Sequence, residues 1–235
     1  MKRFLVLLLL IYNTSSAQIN LTQGLIAHYP FTRNTNDVNE IFESSDFSQT
    51  KYILLGGTSK IAFGKKMESA GDWSMEKMDE VRIYNRVLNQ GEVNTIAGSC
   101  QTQLPCNNWL KTTNQPDAVT IGDLDISGNL LTIETSFNRI APYAGGYLYG
   151  GDIVSKHADP SDCNYLLRPN NAEITTSNGF FQTAPVCDIS LNKTYHVAMT
   201  YDGATLKFYR NGFLLSQKPA TGNLVLNNWL TSIGD

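Results

Sequence analysis

The sequence predicts an all-β protein, an antiparallel β-sandwich with one short helix after the last strand of its first segment. Three observations lead there. In Thr194–Leu215 (TYHVAMTYDGATLKFYRNGFLL), Tyr195, Val197, Met199 and Tyr201 alternate with smaller or more polar residues, the period of a half-buried strand. Asp202-Gly203 and Asn211-Gly212 follow as expected two-residue turns, because both positions of each pair tolerate positive φ. Leu206 and Phe208 share one face between these turns and Lys207 and Tyr209 the other, so three consecutive strands form a meander. The second observation is the same alternation in Leu130–Phe137 (LLTIETSF), with Leu131, Ile133 and Thr135 on one side, and in Met78–Tyr84 (MDEVRIY). The third is punctuation: 18 glycines fall with Asn and Asp between short extended runs, as turns do in a sandwich.

Residues 1–17 read as a secretory signal. Lys2 and Arg3 precede the apolar run Phe4–Ile11, and Ser15-Ser16-Ala17 supplies small residues for cleavage. The run is shorter than the roughly 20 apolar residues that span a bilayer, so the mature chain is expected to be secreted or at the cell surface. A first segment, 18–99, opens with the extended run Leu25–Phe31 and a polar loop at Thr32–Asp37. It closes with Met78–Tyr84 and Asn89-Gln90-Gly91-Glu92, which has the form of a capping box and predicts a helix over 90–96. Residues 100–106 are a linker carrying cysteines. A second segment, 107–235, holds expected strands at Val119–Ile121, Leu130–Phe137, Tyr147–Ser155, Asn164–Arg168 and Ala172–Thr176, followed by the meander.

Composition narrows the partners. The chain is 42% hydrophobic and 17% charged, with a net charge of −3. No basic run follows the signal, which argues against nucleic acid and anionic membranes. Four cysteines, Cys100, Cys106, Cys163 and Cys187, favour disulfides in an exported chain. Three pairings are possible. Cys100–Cys106, a small loop in the linker, and Cys163–Cys187, a staple in the second segment, are the preferred ones. Zinc is not expected, since no Cys-x-x-Cys occurs and His28, His157 and His196 lack zinc-like spacing to the cysteines. His157 reads as a surface-loop residue and His196 as a strand residue, and neither implies a partner.

These residues resemble the laminin G-like, concanavalin A-like jelly-roll superfamily. LIAHYPFTRNTND is similar to the opening of such domains and MDEVRIYNRVLNQGEV to their closing strand and short helix. DIVSKHADPSDCNYLLRP and TYHVAMTYDGATLKFYRNG are similar to their interior strands. The resemblance implies a jelly roll, with 18–99 a shortened unit and 107–235 a second unit cut off at its C-terminus, and an unfinished edge prone to association. It also implies Ca²⁺ joining loops near the two ends of a unit, with Asn36, Asp37 and Asp79 as ligands. The family's aspartate after the aromatic is Thr32 here, and Asn36-Asp37 reads equally well as a turn former.

Catalysis has little support. The Glu-x-Asp-x-x-Glu string of related bacterial glucanases is absent, as is a Gly-x-Ser-x-Gly elbow. Asp123 and Asp125 lie two apart but lead into Ile-Ser-Gly, and read as solvated turn residues. Sugar binding needs exposed aromatics beside amides or carboxylates. Tyr143, Tyr147 and Tyr149 cluster around two glycine pairs, and Trp229, like Trp109, follows an Asn-Asn pair. Tyr147 and Tyr149 fit sheet packing as well. The expected function is therefore non-catalytic recognition of a glycan or an extracellular protein. The alternatives are an accessory targeting region of a larger glycoside hydrolase or lyase, and a spacer in an adhesin.

Overall fold

A computed structural model describes residues 20–29, 42–43, 62–63, 76–102, 110–111, 119–120, 122–141, 151–157, 162–186 and 189–233. In chain order these form β1 (Leu25–Tyr29), β2 (Phe42–Glu43), β3 (Ala62–Phe63), β4 (Glu76–Tyr84), α1 (Gln90–Thr102), β5 (Leu110–Lys111), β6 (Val119–Thr120) and β7 (Leu131–Arg139). They continue as β8 (Val154–Lys156), β9 (Tyr165–Leu167), β10 (Ala172–Thr176), β11 (Gly179–Gln182), β12 (Thr194–Tyr201), β13 (Thr205–Arg210), β14 (Phe213–Pro219) and β15 (Ser232–Ile233). Among the described residues the larger sheet runs β14-β13-β12-β7-β4-β5-β2, with β1 also paired to β4. The smaller runs β11-β10-β9-β8-β15-β6-β3. Pairing is antiparallel throughout except for β2 with β5. The protein is an all-β sandwich with one helix.

One core lies between the layers. The larger sheet contributes Met78, Val81, Ile83, Leu131, Ile133, Phe137, Val197, Met199, Tyr201, Leu206 and Phe208; the smaller contributes Val154, Tyr165, Leu167, Ala172, Ile174 and Ile233. The alternation read in β7, β12 and β13 is therefore core against outer face, as side chains standing on opposite sides of a pleat require. Residues of the 18–99 segment share this core and these sheets. β4 pairs with β7 from Glu76↔Arg139 to Tyr84↔Thr132.

The turns differ in kind. Asn211 and Gly212 have φ of 51° and 82°, and Arg210 pairs with Phe213, which makes the expected two-residue turn. Asp202-Gly203 instead sits in a wider connection, with Tyr201 opposite Leu206. There the Asp202 carboxylate accepts from the amides of Ala204 (3.0 Å) and Thr205 (2.7 Å), replacing the ladder bonds a tighter turn would keep.

The helix starts where the capping box places it. Glu92 N donates to Asn89 Oδ1 (3.0 Å) and Asn89 N to Glu92 Oε2 (2.9 Å). It runs on to Thr102, beyond the expected residue 96. Val93 and Ile96 pack on the outer face of the larger sheet against Tyr84, Leu88, Ala198 and Tyr209. No helix among the described residues is long and apolar enough to cross a membrane.

Candidate functional site

An open hollow of 480 Å³ lies between α1 and the β13–β14 turn, lined by Gln90, Asn94, Ala97, Gly98, Asn211, Gly212, Phe213 and Leu214. The four helix residues recur at helical spacing and form one stripe. The turn reaches them because position 212 is glycine: a Cβ there would stand 2.9 Å from Asn94 Oδ1, at a φ of 82°. Gln90 Nε2 donates to the Gly212 carbonyl (2.5 Å) and to Asn94 Oδ1 (2.8 Å), joining helix to hairpin. Asn211 is fixed from below, its N–H donating to the His196 carbonyl (2.7 Å) and its Oδ1 accepting from His196 N (3.0 Å). Phe213, at the mouth, is 74% exposed, and Leu214 and Leu215 beside it are also exposed. The lining thus combines carboxamides with an aromatic and an aliphatic side chain, and carries no charge.

A row of ionisable groups crosses the outer face of the larger sheet. His28 Nε2 meets Glu80 Oε2 at 2.9 Å; Glu80 pairs with Arg82; Arg82 Nη1 donates to Glu134 Oε1 (2.8 Å); and His196 Nε2 meets Glu134 Oε2 at 2.7 Å. Glu80 sits at a φ of 55° in a bulge between Asp79 and Arg82, which turns its carboxylate towards both neighbours. Burial pushes the Glu80 carboxyl up, but His28 and Arg82 outweigh it and hold the group below the usual carboxylate range. Tyr84 is pushed up to about 12, first by burial and then by Glu134. The side chains of Glu134 and His196 are each 1% exposed. Two carboxylates and two imidazoles have the composition of an acid–base site, but here they answer one another, Glu134 and His196 sealed from solvent and His28 and Glu80 half-buried.

The smaller sheet holds a second polar cluster. Arg168 donates through Nε to Asp152 Oδ1 (2.6 Å) and pairs with Glu173, whose Oε1 also accepts from Gln182 (2.6 Å) and Asn171 (3.2 Å).

Of the residues singled out in the sequence, Tyr143, Tyr147, Tyr149, Asn36, Asp37, Cys106 and Cys187 lie outside the described residues, as does the 1–17 segment. Trp229 is half-buried; its indole N–H donates to Asp162 and its carbonyl accepts from Lys156, so it serves the scaffold here. Asp79 is buried in β4, and its Oδ1 accepts from the Glu80 amide (2.8 Å). Among the described residues no three or more His, Cys, Asp or Glu side chains gather as a metal site. Cys100 falls in α1, and Cys163 carries a free, buried thiol in this structure, its Sγ 3.9 Å from the Glu173 carbonyl. Burial pushes that thiol well up, so it is held protonated.

Two sequence readings are corrected. His157, read as a surface-loop residue, is buried, and His196 does have a partner, Glu134. Asp123 and Asp125 are not merely solvated turn residues, since both reach the buried ammonium of Lys156. The hollow was not foreseen, although Phe213-Leu214-Leu215 carries a signal: three apolar residues in succession after an Asn-Gly turn cannot all face one core.

No family model matches the chain, and no curated protein matches it. The class that fold and site define is an all-β sandwich whose surface carries an uncharged aromatic–carboxamide hollow.

Proposed function

We propose that this chain is a secreted or cell-surface recognition module of laminin G-like, concanavalin A-like jelly-roll type, non-catalytic, that binds an uncharged saccharide in the hollow between α1 and the β13–β14 turn. The observation that carries this is the exposure of Phe213 next to the carboxamides of Gln90, Asn94 and Asn211. An aromatic face stacks on the C–H face of a pyranose, and carboxamides both donate to and accept from ring hydroxyls. A shallow, open hollow suits one or two sugar units of a longer chain, and its size is that of ordinary ligand sites. The polar row on the outer face of the larger sheet favours recognition over turnover, because its groups engage one another.

A glycan array followed by titration tests the reading. Phe213→Ala is expected to keep the wild-type melting temperature and to weaken binding by about tenfold or more. Undiminished binding by that variant would remove the hollow from the proposal. Calcium at Asn36, Asp37 and Asp79 belongs to the same family reading, and a rise in wild-type melting temperature on adding CaCl₂ is its test.

A specific observation favours a second reading, an extracellular protein ligand. Among the described residues β14 ends the larger sheet with one side unpaired, and Phe213, Leu214 and Leu215 at its start are exposed. An extended peptide adds to such an edge through backbone hydrogen bonds. Lys218 and Pro219 at its far end limit that pairing to the first half of the strand. Binding of proteins but no glycans would favour this reading; binding of neither would favour the spacer.

A further inference from the structure

Lys156 ends β8 with its side chain wholly buried, and four oxygens surround its Nζ. They are Asp123 Oδ1 at 2.6 Å, Asp125 Oδ1 at 3.2 Å, the Asn227 carbonyl at 3.1 Å, and the Trp229 carbonyl. An ammonium has three protons to donate, one fewer than the oxygens it faces. Its single charge also leaves one of the two carboxylate charges uncompensated. Carboxylates and main-chain carbonyls together are the ligand chemistry of hard divalent cations, above all Ca²⁺. Both aspartates remain in contact with solvent, Asp123 at 48% side-chain exposure, so the group has a route for an ion.

The surroundings explain why a cation is needed. β15 lies between β8 and β6 in the smaller sheet but pairs through only Ser232 and Ile233 on each side. The loop before it is fastened at Thr231, whose amide donates to the Gly122 carbonyl (2.8 Å) and whose Oγ1 meets Tyr165 Oη (2.8 Å). Further along the loop, Asn227 and Trp229 turn their carbonyls inward to Lys156, and Asn227 N reaches Asp125 Oδ1 (3.4 Å). Without a positive charge at this point, two carboxylates and two carbonyl dipoles would face one another across the loops.

We propose that Asp123, Asp125 and the carbonyls of Asn227 and Trp229 form a divalent-cation site whose place is taken by the Lys156 ammonium, so that the loops flanking β15 are joined without metal. Shortening the side chain opens the site to Ca²⁺. The inference stands apart from the saccharide reading, since it concerns the other sheet and a different readout.

The test compares the full wild-type chain with Lys156→Ala and with Lys156→Met, which keeps most of the volume. Melting temperature and tryptophan fluorescence are followed in EDTA and in CaCl₂. At about 5 mM Ca²⁺ the variants are expected to gain about 4 °C or more beyond any wild-type response, for a site of the affinity common in extracellular modules. Lys156→Ala/Asp125→Asn is expected to lose that gain. Variants that fold only with Ca²⁺ support the proposal equally. A calcium response no larger than the wild type's overturns it, and so does failure of both single variants to fold with or without the ion.

Discussion

His196 joins the two polar regions of the larger sheet: its imidazole meets Glu134 Oε2 at 2.7 Å beneath α1, while its backbone holds Asn211 at the floor of the hollow. Glu134 in turn answers Arg82 through its other oxygen. One buried carboxylate thus serves two partners across three strands, β4, β7 and β12. Glu134→Gln keeps the volume and removes the charge, so that Arg82 Nη1 and the His196 imidazole face a neutral carboxamide. The expected cost is about 3 kcal/mol in urea unfolding, the range for breaking a buried pair from one side. In a double-mutant cycle with His196→Gln, a coupling energy within about 0.3 kcal/mol of zero would refute the shared role.

The approach of hairpin to helix rests on position 212. Gly212→Ala introduces a side chain at positive φ and places its Cβ against Asn94. Both effects act in the same direction, so the variant should lose more than about 1 kcal/mol of stability. It should also bind any hollow ligand more weakly, because relief of the contact moves the turn away from α1. An unchanged urea midpoint would mean that helix and turn separate without cost.

Much of this architecture is legible in local sequence. The faces of β7, β12 and β13, the Asn211-Gly212 turn and the Asn89–Glu92 cap follow from periods and turn chemistry that each residue carries with its neighbours. The outer face of the larger sheet is not legible in that way. Glu134, His196 and Ala198 occupy the polar-or-small phase of their strands and read as solvent-facing, yet all three are buried, Ala198 against Val93 and Ile96 of α1, an element distant in sequence. β2, β3, β5 and β15 are two residues long and cannot express a period of two, so their positions come from their partners alone. Lys156 is the strongest case. A lysine after Val-Ser at a strand end reads as exposed, and only the return of the chain at 224–231 encloses it.

Burial beneath the helix also leaves a polar atom with nothing to bond. Thr200 Oγ1 is buried without a hydrogen-bond partner. Valine has nearly the same shape and favours the same extended backbone. Thr200→Val therefore removes the desolvation cost of a hydroxyl while losing no bond, and should stabilise the protein by about 1 kcal/mol. A loss of similar size in chemical denaturation would show that the hydroxyl is satisfied in solution.

Acid sensitivity should trace to carboxylates held below their ordinary range. Glu92 is the clearest: two contacts from Arg86, at 2.8 and 2.9 Å, lower its pKa, and the Asn89 amide adds to them against the effect of burial. Glu80 and Asp202 are shifted the same way. A carboxyl with a lower pKa in the folded chain than in the unfolded one leaves the unfolded state binding more protons between the two values. Its contribution is therefore complete above the unfolded pKa, about 4.3 for Glu, and is lost as pH falls through the lower folded value. Glu92→Gln keeps an acceptor for the cap but not the charge opposite Arg86. It should be less stable than wild type by about 1–2 kcal/mol at pH 7. That difference should shrink steadily as the pH is taken below about 4, because the wild type then loses the same charge by protonation. Urea midpoints of both proteins at neutral and acid pH measure it, and a difference that stays constant across that range would assign the destabilisation to the changed shape of the cap instead of to the ion pair.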